Sequence, residues 1–178
     1  MEEGIKIRIY PDPVLRQVAE PVKDIDGEIQ KIIEQMFAAM YGTPNGIGLA
    51  ANQVGVTKRI IVVDFKREEK KGAPLVLINP EIVWSDGSIT NEEACLSIPG
   101  FSAKVTRREK VGVRGYDREG KVIEIEAKGI EAICFQHEID HLNGTLFIDH
   151  ISSLKRAIFK RKMKKLLKKI KRKAHAET

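Results

Sequence analysis

Apolar and polar residues alternate over Ile5, Ile7 and Ile9, which predicts a short strand ending at Pro11-Asp12-Pro13. The period then changes. Ile29, Ile32, Ile33, Met36, Phe37 and Met40 follow helical spacing, Gly42 stands where that helix would stop, and Asp24 or Asp26 is placed to cap its start. A turn-rich stretch over 42–48 leads to strand candidates at 59–65, 75–79, 81–84, 103–105 and 110–116. Val122, Ile123 and Ile125 form another strand after a turn at 117–120. Helical spacing returns with Ile130, Ile133, Cys134, Phe135 and Leu142, predicting a helix over about 130–143 that stops at Gly144. A last helix is predicted over about 153–173. Strands fill the middle and helices bracket them. The predicted class is α+β, with mainly antiparallel strands around a central helix, an N-terminal helix and a basic C-terminal helix. No internal repeat is visible.

A chain of 178 residues has the size of one domain. Its longest apolar run, Ile60-Ile61-Val62-Val63, is strand-length and far below the roughly 18 residues of a spanning helix. Met1-Glu2-Glu3-Gly4 has no basic flank and no signal-type apolar core, so a cytoplasmic protein is expected. Cys95 and Cys134 do not form a disulfide framework, and in a reducing compartment each is a ligand or nucleophile candidate. The net charge of +6 conceals an asymmetry. Residues 151–173 hold 12 of the 31 Lys and Arg and no acid, whereas residues 1–150 hold 19 bases against 24 acids, a net −5.

The chemistry concentrates in Gln136-His137-Glu138-Ile139-Asp140-His141. Side chains four apart share one helix face, so His137 and His141 can hold one metal ion between them. Glu138 then lies beside the metal without being a ligand, placed to handle the proton of a bound water. The competing reading is a chance pair on a solvated face. A catalytic site of this kind needs a third ligand and an open position. Phe147 stands where one metalloprotease pattern has its third His, and after His141 only Asp149 and Glu177 are acidic. His150 and His175 lie among basic or terminal residues and read as surface histidines. Cys134 is seven residues from His141, roughly 10.5 Å along a helix axis, and reads as a small packing residue. By elimination Cys95 is the third ligand. A Cys-His-His set accepts iron(II), zinc, nickel or cobalt.

Three motifs, in order, give the sequence a family resemblance. They are Gly46-Ile47-Gly48-Leu49-Ala50-Ala51-Asn52-Gln53, Glu93-Ala94-Cys95-Leu96-Ser97, and Gln136-His137-Glu138-Ile139-Asp140-His141. The chain resembles the peptide deformylases, which remove the formyl group from the N-terminal formyl-methionine of new bacterial polypeptides. The resemblance implies that Cys95, His137 and His141 hold the metal, commonly iron(II), with zinc or nickel as substitutes. It implies that metal-bound water attacks the formyl carbon, that Glu138 is general base and acid, and that the Gln53 amide and the Leu96 N–H stabilise the oxyanion. Gly46, Ile47 and Gly48 would present backbone to an extended substrate. Ile130, Ile133 and Cys134 would line the methionine pocket. Ala94 replaces the glycine usual in the second motif. The expectation is a negative φ there, with the methyl group narrowing the substrate groove. A P-loop reading of the Gly-Ile-Gly segment fails, because the Lys-Ser/Thr ending is missing. Residues 1–150 read as the catalytic domain and 151–178 as its basic helical extension.

Phe159, Met163, Leu166 and Ile170 form one apolar stripe on the otherwise basic last helix. The stripe could dock on the domain, or the helix could bind a polyanion. The resemblance makes ribosomal RNA the candidate, since some bacterial members use a C-terminal helix this way. A membrane-surface helix is less suited, as the stripe lacks Trp. Two rival classes remain at this level: a general metallopeptidase, and a nucleic-acid-binding module with a structural metal.

Overall fold

Helix α1 (Gly27–Tyr41) begins in the computed structural model where Asp26, not Asp24, accepts the Ile29 N–H in its side chain. The structure describes residues 5–69 and 72–176, so the Met1–Gly4 segment lies outside it. Ile29, Ile33, Met36 and Met40 are buried along one face of α1, as their spacing predicts.

Seven strands follow among the described residues: β1 (Gly48–Ala50), β2 (Ile60–Val63), β3 (Leu75–Asp86), β4 (Ile89–Cys95), β5 (Ile98–Arg107), β6 (Lys110–Tyr116) and β7 (Val122–Lys128). Five form an antiparallel sheet in the order β1-β2-β3-β6-β7, and β4 pairs with β5 in a separate ribbon. Helix α2 (Ile130–Leu142) lies on one face of the large sheet and α1 on the other. Ile61 and Val63 therefore pack toward α2, while Ile60 and Val62 pack toward α1. That two-sided cover explains why this short run is apolar throughout.

Two predicted segments, 75–79 and 81–84, are one strand. The interruption is a bulge at Asn79-Pro80, where Asn79 takes a positive φ of 52° and its side-chain amide pairs with both backbone groups of Val22. The strand expected over 5–9 does not form. Arg8 N–H donates to the Gln53 carbonyl and Tyr10 N–H to the Ser97 carbonyl, with no continuous ladder. Ile5 and Ile7 pack one-sidedly onto the α1 core, which accounts for their alternation.

Helix α2 is the centre of the molecule. Every residue from Ala132 to Leu142 except Asp140 is buried. Gly144 ends it with φ +70°, and a Cβ there would lie 2.4 Å from the Arg16 carbonyl oxygen, so only glycine fits. Helix α3 (Ser153–Ala176) docks through Phe159 and Met163, with Leu166 half-buried. Ile170 stays about half exposed, so the predicted stripe docks at its first three positions only. No helix among the described residues is long and apolar enough to cross a membrane.

Candidate metal centre

The α2 spacing places the rings of His137 and His141 with centroids 5.0 Å apart. Cys95 is the last residue of β4, at a register break with β5. Its Sγ lies 3.3 Å from His141 Nε2. One ligand atom from each of Cys95, His137 and His141 falls within 4.8 Å of the others, and no other such group exists among the described residues. The donor set fits a divalent metal. His137 commits Nδ1 to Glu93 at 2.9 Å, which leaves Nε2 for a metal. Burial pushes the His141 pKa well down, toward the neutral form a ligand imidazole needs. At His137 burial acts the same way but is outweighed by hydrogen bonds with Cys95 and Glu93, which push its pKa well up, so a metal binding there must displace a proton.

Behind the ligands lies a charged network that the sequence reading did not assign. Burial alone would raise the pKa of Glu93, but hydrogen bonds from Arg107 and His137 bring it down to about 2. Arg107 grips Glu93 through Nε at 2.8 Å and Nη2 at 2.9 Å, and reaches Asp140 through Nη1 at 2.5 Å. His150 is exposed, as expected for a surface histidine, yet it pairs with Asp140 at 2.8 Å. Gln136 fastens α2 to the connection after β5 by accepting the Arg108 N–H at 3.0 Å and donating to the Arg108 carbonyl at 2.8 Å.

Glu138 faces the same cavity. Burial pushes its pKa up to about 7, with the neighbouring charges of Glu93 and Asp140 adding and those of His137 and Arg107 opposing. Its Oε2 is buried and has no hydrogen-bond partner. Gln53 is also buried. Its Oε1 accepts the Ala50 N–H at 2.9 Å, which turns Nε2 toward Ser97 Oγ at 3.2 Å and Cys95 Sγ at 3.5 Å.

These groups sit around a cavity of about 380 Å³. Gly46, Ile47 and Gly48 form one wall and Ala94, Cys95 and Leu96 the other, with Ile130, Ile133, Cys134, His137 and Glu138 below. All the predicted groove residues line it; His141 lies behind. A larger depression of about 510 Å³ near Glu20–Asp26 has no ligand cluster beside it. Asn79 is the sole non-glycine residue with positive φ among those described, so Ala94 adopts the expected negative φ and its methyl group borders the groove. A Cβ on Gly48 would lie 2.7 Å from Cys134 Sγ and 3.0 Å from Glu138 Oε1. Gly48 faces Val63 across the ladder while Asp64 N–H donates to the Ile47 carbonyl. Gly48 is therefore at a non-hydrogen-bonded position, and its own N–H and C=O point to the free edge of β1.

Comparison with known proteins agrees with this geometry. Residues 5–157 match the family described as polypeptide deformylase. The chain is 54% identical over 160 residues to a peptide deformylase of Thermodesulfovibrio yellowstonii, covering 90% of this chain and 96% of that protein. It is 55% identical over 163 residues to one from Hydrogenovibrio crunogenus, covering 92% and 95%. The crystal structure of a Legionella pneumophila peptide deformylase superposes with a TM-score of 0.88 at 45% identity, over 96% of this chain and 99% of that one.

The chain belongs to the polypeptide deformylase family.

It is thus a metallohydrolase of α+β fold. Within this deformylase, Glu93, Gln136 and Asp140 stand inside the motifs quoted from the sequence, yet their work was not legible there. Their partners, Arg107, Arg108 and His150, lie outside those motifs and come close only on folding.

Proposed function

We propose that this deformylase removes the formyl group from the N-terminal formyl-methionine of newly made polypeptides in the cytoplasm. Cys95, His137 and His141 would hold one divalent metal. A thiolate with two imidazoles accepts iron(II), zinc, nickel or cobalt, and the family resemblance makes iron(II) the first choice among them. When bound, the metal supplies a Lewis acid and a hydroxide nucleophile near neutral pH. Glu138 takes up the proton on Oε2 and later delivers it to the leaving amine; a carboxyl poised at about 7 suits both transfers. Gln53 Nε2 and the Leu96 N–H donate to the formyl oxygen as negative charge builds there, each worth on the order of 3 kcal/mol. The Gly48 edge accepts the peptide as an added strand between β1 and β4, and Ile130, Ile133 and Cys134 receive the methionine side chain.

The observation that carries this reading is the convergence of three ligand atoms within 4.8 Å beneath a groove, beside the unpartnered Glu138 oxygen. A general metallopeptidase shares the ligand logic but has no support from the family. The test is formate release from a formyl-methionyl peptide, run against the acetylated peptide and an internal amide, with metal content measured. Selective formate release that a chelator abolishes is expected. Equal cleavage of the acetylated peptide would defeat the reading.

Residues 1–150 would form the catalytic part and 151–178 its extension. The exposed basic face of α3 would contact ribosomal RNA, placing the enzyme near emerging chains. Salt-dependent co-sedimentation with ribosomes, lost on deleting residues 165–178, is the expected result. Equal binding by both forms would remove that partner.

A further inference from the structure

The turn that follows β2 carries an arginine aimed inward. Only 13% of the Arg67 side chain is exposed. Its Nη1 donates to the Gly46 carbonyl and, at 3.4 Å, to the Met40 carbonyl. Its Nη2 donates to the Thr43 carbonyl at 2.9 Å. The guanidinium also lies 5.6 Å from the Tyr41 ring centroid. One planar fork thus collects carbonyls from the C-terminal turn of α1 and from the segment that becomes the groove wall.

The turn itself is tethered. The carboxylate of Asp64, 1% exposed, accepts the Tyr41 hydroxyl at 2.6 Å and the N–H groups of Lys66 and Ala73 at 3.0 Å each. A Cβ on Gly72 would come within 2.5 Å of Asp64 Oδ2, so the chain wraps this carboxylate closely. Arg67 is therefore presented from a pinned turn. Its target, Gly46, sits two residues before Gly48, the residue whose N–H and C=O face the free edge of β1. Gly46 is also tight against Leu96: an added Cβ would meet Leu96 Cδ1 at 3.1 Å.

We propose that Arg67 is a positioning residue for the part of the substrate beyond its first amino acid. It holds residues 43–47 so that the Gly48 edge stays in register with an entering peptide strand. The inference rests on the deformylase reading and on strand addition at Gly48. No metal ligand and none of the groups assigned to proton transfer or oxyanion binding touches Arg67. Its loss should be felt by the extended peptide backbone, not by the formyl group. Lysine keeps the charge but not the planar fork, so it can satisfy only part of this carbonyl set.

The test uses the metal-loaded enzyme with two substrates, formyl-methionine amide and a formyl-methionyl tripeptide. The readout is the ratio of their kcat/KM values, from which any loss of folded enzyme cancels. In R67M the tripeptide preference should fall on the order of tenfold, mainly through KM, as expected when a binding wall is displaced by a fraction of an ångström. R67K should be intermediate. An unchanged ratio in R67M, with wild type active on both substrates, overturns the inference and leaves the deformylase reading standing. Failure of the wild type to release formate from either substrate overturns both.

Discussion

Replacing Glu93 with Gln tests whether the charged network behind His137 supports the metal centre. The wild-type carboxylate is 5% exposed and fully engaged: one oxygen takes Arg107 Nε, the other takes Arg107 Nη2 and His137 Nδ1. Glutamine has one acceptor oxygen, so in either orientation its amide N–H groups face a guanidinium N–H, and in one of them the imidazole N–H as well. A carboxyl held at about 2 instead of 4.5 contributes on the order of 3 kcal/mol to stability at neutral pH. Breaking a buried ion pair from one side costs about 3–5 kcal/mol, and Asp140 still shares Arg107, so the lower end is expected. The folded pKa is depressed. The contribution is therefore fully present above about pH 4.5 and is lost as pH falls toward about 2. The measurements are urea unfolding at neutral pH and at about pH 3, and metal affinity by chelator competition. The variant should be about 3 kcal/mol less stable at neutral pH, the gap should narrow in acid, and metal should bind about 10- to 100-fold more weakly. A variant within about 0.5 kcal/mol of wild type, holding metal equally well, would refute this account of the network.

Glu138→Gln should keep its metal, by elemental analysis, yet lose on the order of 10²–10⁴ in the rate of formate release; wild-type turnover would exclude it as the proton carrier. Gly48→Ala should lose most activity and about 1–3 kcal/mol of stability, because its methyl group collides with Cys134 and Glu138; an unaltered melting curve and rate would contradict the crowding. Ala94→Gly should change catalytic efficiency less than about tenfold, since the residue already has negative φ and its methyl group only narrows the groove; a larger gain would mean that alanine distorts Cys95. Phe159→Ala should cost about 3–5 kcal/mol and Ile170→Ala under about 0.5 in denaturant unfolding, because α3 docks at the first and not at the second; equal costs would show that the whole stripe packs.

Some features of this molecule are local properties of the chain. Periodicity determines α1, α2 and β6 almost to the residue, because each buries one repeating set of apolar side chains. The i, i+4 histidines need only a helix to meet. The motif resemblance places Gln53, Leu96 and Ala94 in one site with Cys95. Other features had no local signal. Strand β4 reads as polar because its buried Glu93 is matched by Arg107 from β5, and alternation cannot reveal a buried charge whose partner is 14 residues away. The apparent strand at 5–9 alternates only because one side packs on α1. Arg67 has no local signal either, since the carbonyls it gathers meet only when α1 and the turn after β2 fold against each other. The chain itself dictates which residues are apolar, helical or able to bind metal. Tertiary structure alone decides which charges are buried and which backbone edge is left open, since both depend on what lands opposite them.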